Sequence, residues 1–166
     1  MRCYVLMGVS GCGKSTVGEA LAKVCDVSYI DGDELHPATN IKKMASGIPL
    51  NDDDRAPWLA KVGRRLAQAG GPTVIGCSAL KRKYRDWIRN EVPEPVHFIH
   101  LDAPKEVLAI RVAERPGHFM PASLLDSQFA ALEPLEPNEL GGVIDISRPF
   151  IEVVAQSETY VRETMV

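Results

Sequence analysis

Residues 8 to 16 read Gly8-Val9-Ser10-Gly11-Cys12-Gly13-Lys14-Ser15-Thr16, a spacing of glycines, lysine and hydroxyls that suits the grip on a nucleotide triphosphate. Glycine permits backbone conformations in which successive N–H groups converge on phosphate oxygens. The apolar run Cys3-Tyr4-Val5-Leu6-Met7 ahead of the loop reads as a strand, and Val17, Leu21, Ala22 and Val24 behind it follow a helical period. A helix starting there aims the positive end of its dipole at the same anion. Lys14 can reach the β- and γ-phosphates, and the Ser15 hydroxyl can ligate Mg²⁺. Cys12 reads as a small residue of the loop, or alternatively as a thiol made reactive by the converging N–H groups.

A second set of groups follows the next apolar run, Val27-Ser28-Tyr29-Ile30, which ends in Asp31-Gly32-Asp33. Alternation along an extended segment would put both carboxylates on one side. Phosphoryl transfer needs one group to orient the attacking oxygen and take its proton, and another to hold Mg²⁺ through water. Asp33, further out, suits the first role and Asp31 the second; the competing role for Asp33 is the N-cap of the next helix. The run Asp52-Asp53-Asp54 suits the positive end of a helix, and Asp102 before Ala103-Pro104 reads as another cap. The chain lacks the Asn-Lys-x-Asp segment that reads guanine, which weighs against a GTPase switch.

These groups must be carried by a scaffold, and apolar runs alternate with helical patterns throughout. Strands are predicted at 2–7, 27–31, 73–77, 96–101 and 142–146, and helices near 14–25, 34–46, 54–69, 81–91, 104–114, 121–132 and 150–163. That order predicts an α/β fold, a five-stranded parallel sheet with helices on both faces, whose ligands sit at the carboxyl ends of the strands. The 166 residues fit a single domain over 1–166, with a small lid at roughly 111–125 where Arg111 to Pro121 interrupts one helix and starts another. Arg111 or Arg115 would bring positive charge to the transferring phosphoryl group, and either can instead pair with Glu114 or Glu106.

Composition narrows the class. Apolar residues at 45% and charged residues at 25% are ordinary for a soluble protein, and a net charge of −3 gives no electrostatic footprint for nucleic acid or an anionic membrane. No apolar run reaches membrane-spanning length, and Met1-Arg2 leads directly into the first strand without room for a signal peptide. Cys3, Cys12, Cys25 and Cys77 form no zinc spacing and suit buried thiols in a reducing cytosol.

Several segments together resemble the gluconate kinases, small P-loop sugar-acid kinases related to shikimate kinase. They are Gly8 to Thr16, Asp31-Gly32-Asp33-Glu34-Leu35-His36-Pro37, Asn40 to Met44, Gly47 to Leu59, Cys77 to Asp86, Gly117-His118-Phe119-Met120-Pro121 and Ser127-Gln128-Phe129. The loop itself is common to many kinases, whereas the His36-Pro37, Asp52 to Trp58, Cys77 to Arg82 and His118 to Met120 pieces are specific. The resemblance implies the P-loop kinase fold and ATP-dependent phosphorylation of D-gluconate to 6-phosphogluconate, with Mg²⁺, in a cytosolic homodimer. It implies that Asp33 faces the sugar hydroxyl and that His36, Arg55, Lys81 and Arg82 form the acceptor pocket. It also suggests that Arg148 and Pro149, after the last strand, sit where related kinases hold adenine.

The residues agree with that implication. A sugar acid offers a carboxylate and a ladder of hydroxyls, so its site needs a fixed cation, ideally arginine for a two-pronged grip. Lys81 to Arg89 holds five cations in nine residues. Lys81 and Arg82, at the strand end, are the expected ligands; Arg85 can reach from one turn later, and Lys83 and Arg89 read as surface. His36 can donate to a substrate hydroxyl or pack at a helix start, and Trp58 can line the sugar pocket or lie in the core. His97 and His100 read as structural. Other small acceptors such as shikimate, another sugar acid or a nucleoside monophosphate form the second hypothesis, and a nucleotide-binding regulator the third. Only 6% of residues are aromatic, which argues against a base-stacking acceptor.

Overall fold

The computed structural model describes residues 2–114 and 122–165. Five parallel strands form one sheet: β1 (Cys3–Met7), β2 (Ser28–Asp31), β3 (Thr73–Gly76), β4 (Val96–Asp102) and β5 (Gly141–Asp145), in the order β2-β3-β1-β4-β5. The central β1 is buried along its whole length, which is why its sequence is continuously apolar rather than alternating. Its side chains still sort by parity. Tyr4 and Leu6 join one apolar cluster with Val17, Leu21, Val153 and Val161, while Val5 and Met7 join another with Leu59, Val62, Leu66 and Ile88.

Those clusters are completed by helices. On the first face lie α1 (Lys14–Cys25), α5 (Lys105–Glu114), α6 (Ala122–Ala131) and α7 (Phe150–Thr164); α3 (Asp52–Ala67) and α4 (Arg82–Arg89) cover the second. A short α2 (Ala38–Ala45) precedes α3. The expected architecture of parallel strands between helical layers is therefore what forms. His97 meets the Tyr160 hydroxyl at 2.9 Å and stacks on Tyr4. His100 is buried near the end of β4, and all four cysteines are buried free thiols.

One expected helix is broken. In place of a continuous helix over 34–46, Gly32–Leu35 forms a 3₁₀ turn and α2 starts only at Ala38. Pro37 is the reason. It lacks an N–H, and it forces His36 into an extended conformation at φ −60°, ψ 135°. The next helix instead starts two residues earlier than expected, because Asn51 and Asp54 form a reciprocal capping box.

Tyr29 fixes the approach of β2 to α1. Its ring fills a slot between Gly18 of α1 and Gly76 of β3: a Cβ at Gly18 would lie 2.1 Å from a ring carbon, and one at Gly76 would lie 2.4 Å from the hydroxyl oxygen. Gly18→Ala should gain about 1 kcal/mol in helix propensity yet lose more to overpacking, for a net destabilisation of about 1–2 kcal/mol. Urea unfolding checks the sign; a variant more stable than the parent would show that the ring yields.

Candidate active site

The loop between β1 and α1 is shaped by its glycines. Gly13 precedes α1 with φ 92°, in the left-handed region. Gly8 has φ 149°, and a Cβ there would meet the Leu101 carbonyl oxygen at 2.7 Å and Cys12 Sγ at 2.8 Å. No side chain caps the start of α1, so its first N–H groups face the loop. Lys14 Nζ donates to the carbonyls of Gly8 at 3.0 Å and Val9 at 3.2 Å, which lays its charge across the loop. Ser15 and Thr16 are exposed. Cys12 is buried and packs within the loop, so it acts as the small residue rather than as an exposed thiol.

Beside the loop lies a cavity of about 420 Å³ whose lining includes Gly11, Gly13, Thr16, Arg111, Arg148 and Phe150. Arg111 and Arg148 thus share one cavity with the loop residues Gly11 and Gly13. Pro149 is not part of this wall; it stands at the N-terminus of α7 instead. Phe150, unforeseen from sequence, supplies the apolar surface that a base needs. Arg115 lies outside the described residues, as do residues 116–121 of the expected lid.

At the end of β2 the two aspartates do not alternate as strand residues. Asp31 caps the 3₁₀ turn, its Oδ1 accepting from the Asp33 N–H at 3.0 Å. The cap is therefore Asp31, and Asp33 is released from the structural role that competed for it. Desolvation, and then the charge of Asp31, push the Asp33 carboxyl above its ordinary value, while Lys14 and His36 draw it down. The carboxylate thus feels both the phosphate-loop lysine and the His36 ring.

His36 is buried and stacks on Trp58, with ring centroids 3.9 Å apart and an interplanar angle of 18°. The Asn40 amide donates to Nδ1 at 3.2 Å and to the Asp54 carbonyl at 2.9 Å. Since that amide nitrogen only donates, Nδ1 accepts and the ring proton sits on Nε2. Burial lowers the His36 pKa, favouring this neutral, donating form. Trp58 belongs to the core rather than to an open pocket wall, and its Nε1 donates to the Gly32 carbonyl at 2.9 Å, steadying the turn that carries Asp33.

The cations sort themselves through partners. Arg55 Nη1 donates to the Tyr84 hydroxyl at 3.3 Å, and that hydroxyl donates to Asp52 at 2.6 Å. Lys83 is exposed, as expected, and is bonded to Asp52. Its bond and that of Tyr84 hold the Asp52 carboxyl at about 2. Lys81 Nζ lies over the Tyr84 ring at 5.9 Å, so Arg55, Lys81 and Lys83 ring one aromatic hub. Tyr84 and Asp52 were not among the expected site residues, although both lie in the resembling segments.

Arg82 and Arg85 depart from expectation. The Arg82 guanidinium is taken up by Asp86, Glu136 and Asn138, not by the Tyr84 hub, so its reach towards an acceptor is already spent on the chain. Arg85 is fully buried, and all five of its N–H groups are accounted for. Nε and Nη2 grip Glu139 at 2.7 and 3.0 Å, Nη2 also meets the Pro134 carbonyl, and Nη1 holds the carbonyls of Ala79 and Leu80. It shapes the turn in front of Lys81, where Ala79 has φ 45°. Arg89 is likewise tied to Glu139 and Asp86.

The chain is similar to known proteins over most of its length. The family described as AAA domain matches residues 4–135. The chain is 45% identical to the thermosensitive gluconokinase of Escherichia coli (strain K12) over 157 residues, which span 92% of this chain and 83% of that protein. It is 50% identical to the gluconokinase of Gluconobacter oxydans (strain 621H) over 135 residues, 80% of this chain and 75% of that one. The crystal structure of a gluconokinase from Sinorhizobium meliloti 1021 superposes with a TM-score of 0.90 at 47% identity, covering 98% of this chain and 93% of the other.

Proposed function

Since the chain belongs to the gluconokinases, a family with the P-loop kinase fold, we infer that residues 8–16 and the groups around Asp33 divide the work of moving a phosphoryl group to D-gluconate. The reaction is ATP-dependent phosphorylation of gluconate. The observation that carries the assignment of roles is Asp33, an exposed carboxylate left free of the turn's cap by Asp31 and feeling the charges of Lys14 and His36 at once.

In this reading the loop N–H groups and Lys14 bind the triphosphate, and Arg111, Arg148 and Phe150 border the nucleoside. Arg55 and Lys81, gathered at Tyr84, take the gluconate carboxylate, and His36 Nε2 donates to a hydroxyl. Asp33 accepts the proton of the primary hydroxyl as its oxygen bonds to the γ-phosphorus and the bond to the β,γ-bridging oxygen breaks, giving 6-phosphogluconate and ADP. The hard oxygens of Ser15 and Asp31, the latter through water, suit Mg²⁺, which neutralises phosphate charge when bound. Residues 111–125, with Arg115, act as the lid of a single domain and exclude water. We also propose a homodimer, supported by the apolar residues Ile41, Met44 and Ile48 left exposed on and beside α2. A cytoplasmic setting is supported by the four free thiols. Among the described residues no helix is long and apolar enough to cross a membrane.

An ADP-release assay over gluconate, shikimate and nucleoside monophosphates tests the acceptor. Gluconate should turn over at least about 100-fold faster than the others, since sites built from buried polar groups discriminate strongly. Turnover of gluconate no faster than background ATP hydrolysis would reject the assignment.

A further inference from the structure

Outside the groups already assigned, one side chain reaches into the phosphate loop from far along the chain. Gln128, on α6, accepts from the Ser10 N–H through Oε1 at 2.6 Å and donates to Ser10 Oγ through Nε2 at 2.8 Å. A backbone N–H can only donate, so the amide has a single satisfactory orientation, and both of its ends are spent on one residue. Ser10 sits in a stretch interrupted by Gly8, Gly11 and Gly13, all at positive φ. The freedom that lets such a loop wrap a phosphate also lets it wander, so its shape has to be imposed from outside. The loop's own apolar residues, Val9 and Cys12, share a buried cluster with Leu125 of α6, against which Phe129 also packs; the helix is therefore anchored where Gln128 projects.

The same segment makes a second attachment beyond the helix. The Glu133 N–H donates to the Leu80 carbonyl at 2.7 Å, and its Oε1 accepts from the Arg82 N–H at 2.8 Å. A strap of residues 128–133 thus grips the phosphate loop at one end and the turn bearing Lys81 at the other.

We propose that Gln128 is a positioning residue for the phosphate loop, holding Ser10 so that the neighbouring N–H groups keep their convergence on a nucleotide. It acts through Ser10 and touches neither substrate. The inference rests on the gluconokinase reading only where turnover is measured. Calorimetric binding of Mg-ADP to the purified full chain therefore supplies a readout independent of the acceptor.

Gln128→Ala should weaken Mg-ADP binding about ten-fold, as two hydrogen bonds to the loop are lost, and raise KM for ATP similarly while KM for gluconate stays within two-fold. Gln128→Met separates positioning from packing. Its side chain keeps the length and most of the bulk but bonds neither the Ser10 N–H nor the Ser10 hydroxyl, so Mg-ADP binding should weaken about ten-fold here too. Should Gln128→Ala fail to fold, the methionine variant carries the test alone. Mg-ADP affinity within two-fold of the parent in either variant overturns the proposal. Parent enzyme inactive on gluconate, with Mg-ADP binding still lost in the variants, would sink the acceptor assignment and leave this one standing.

Discussion

Asp33→Asn should lower kcat by about 10³-fold, within the range that a positioned general base contributes, while the ATP dissociation constant stays within about two-fold. Asparagine keeps the shape and can still meet a hydroxyl, but it cannot take the proton. The pKa shift adds a second signature. Burial and Asp31 raise the Asp33 carboxyl in the folded chain, so its stabilising contribution belongs to the protonated form. That contribution is present below the unfolded pKa and is lost as pH rises through the folded one. At neutral pH the ionised group is a burden, and the asparagine variant should melt at the same temperature as the parent or slightly above it. Parent kcat should also fall on the acid side at a pH above the ordinary carboxylate range, and this limb should vanish in the variant. Rapid-quench single turnovers, calorimetry and thermal melts give all three readings. Full turnover in the variant would remove Asp33 from the chemistry, and a lowered melting temperature would mark it as structural.

The largest stability effect should come from Arg85→Met. Glu139 would remain fully buried without its principal partner, and stranding a buried charge costs about 3–5 kcal/mol. Burial alone would raise the Glu139 carboxyl, but the bonds from Arg85, the Glu136 N–H and Arg89 override it and bring it to about 2. A depressed carboxyl stabilises above its unfolded pKa and loses that contribution as pH falls. The parent should therefore weaken between about pH 4.3 and 2. Adding Glu139→Leu to Arg85→Met removes the stranded charge and should restore most of the lost stability. It should leave KM for gluconate raised several-fold, because no guanidinium then joins the Ala79 and Leu80 carbonyls ahead of Lys81. Denaturation curves with steady-state kinetics separate the two effects. A double variant as unstable as the single one, or one with unchanged KM, would contradict the respective half of the prediction.

How much of this was legible beforehand follows from where each signal resides. The strands and most helices were readable because burial on both faces writes continuous apolar runs, and the phosphate loop because its spacing is local. The split after β2 was missed although Pro37 is in plain sight; its effect on His36 outweighed the helical pattern around it. The five cations of residues 81–89 looked alike in sequence. The fates of Arg82, Lys83, Arg85 and Arg89 were decided by Glu136, Asn138, Glu139 and Asp52, bonded to them across 31 to 56 residues of chain. Tyr84 became a hub only because α3 and α4 pack side by side. Gln128 stood in a resembling segment, yet only folding brings it to Ser10.

The slot occupied by Tyr29 has an evolutionary corollary. Two missing side chains make the room for one large ring, so positions 18, 29 and 76 form a single volume shared by three residues. Divergence at any one of them alone meets a steric barrier, whereas a shrinking of residue 29 opens both glycine sites to alanine. Substitutions in this trio should therefore arise in company along a lineage, with the aromatic position changing first.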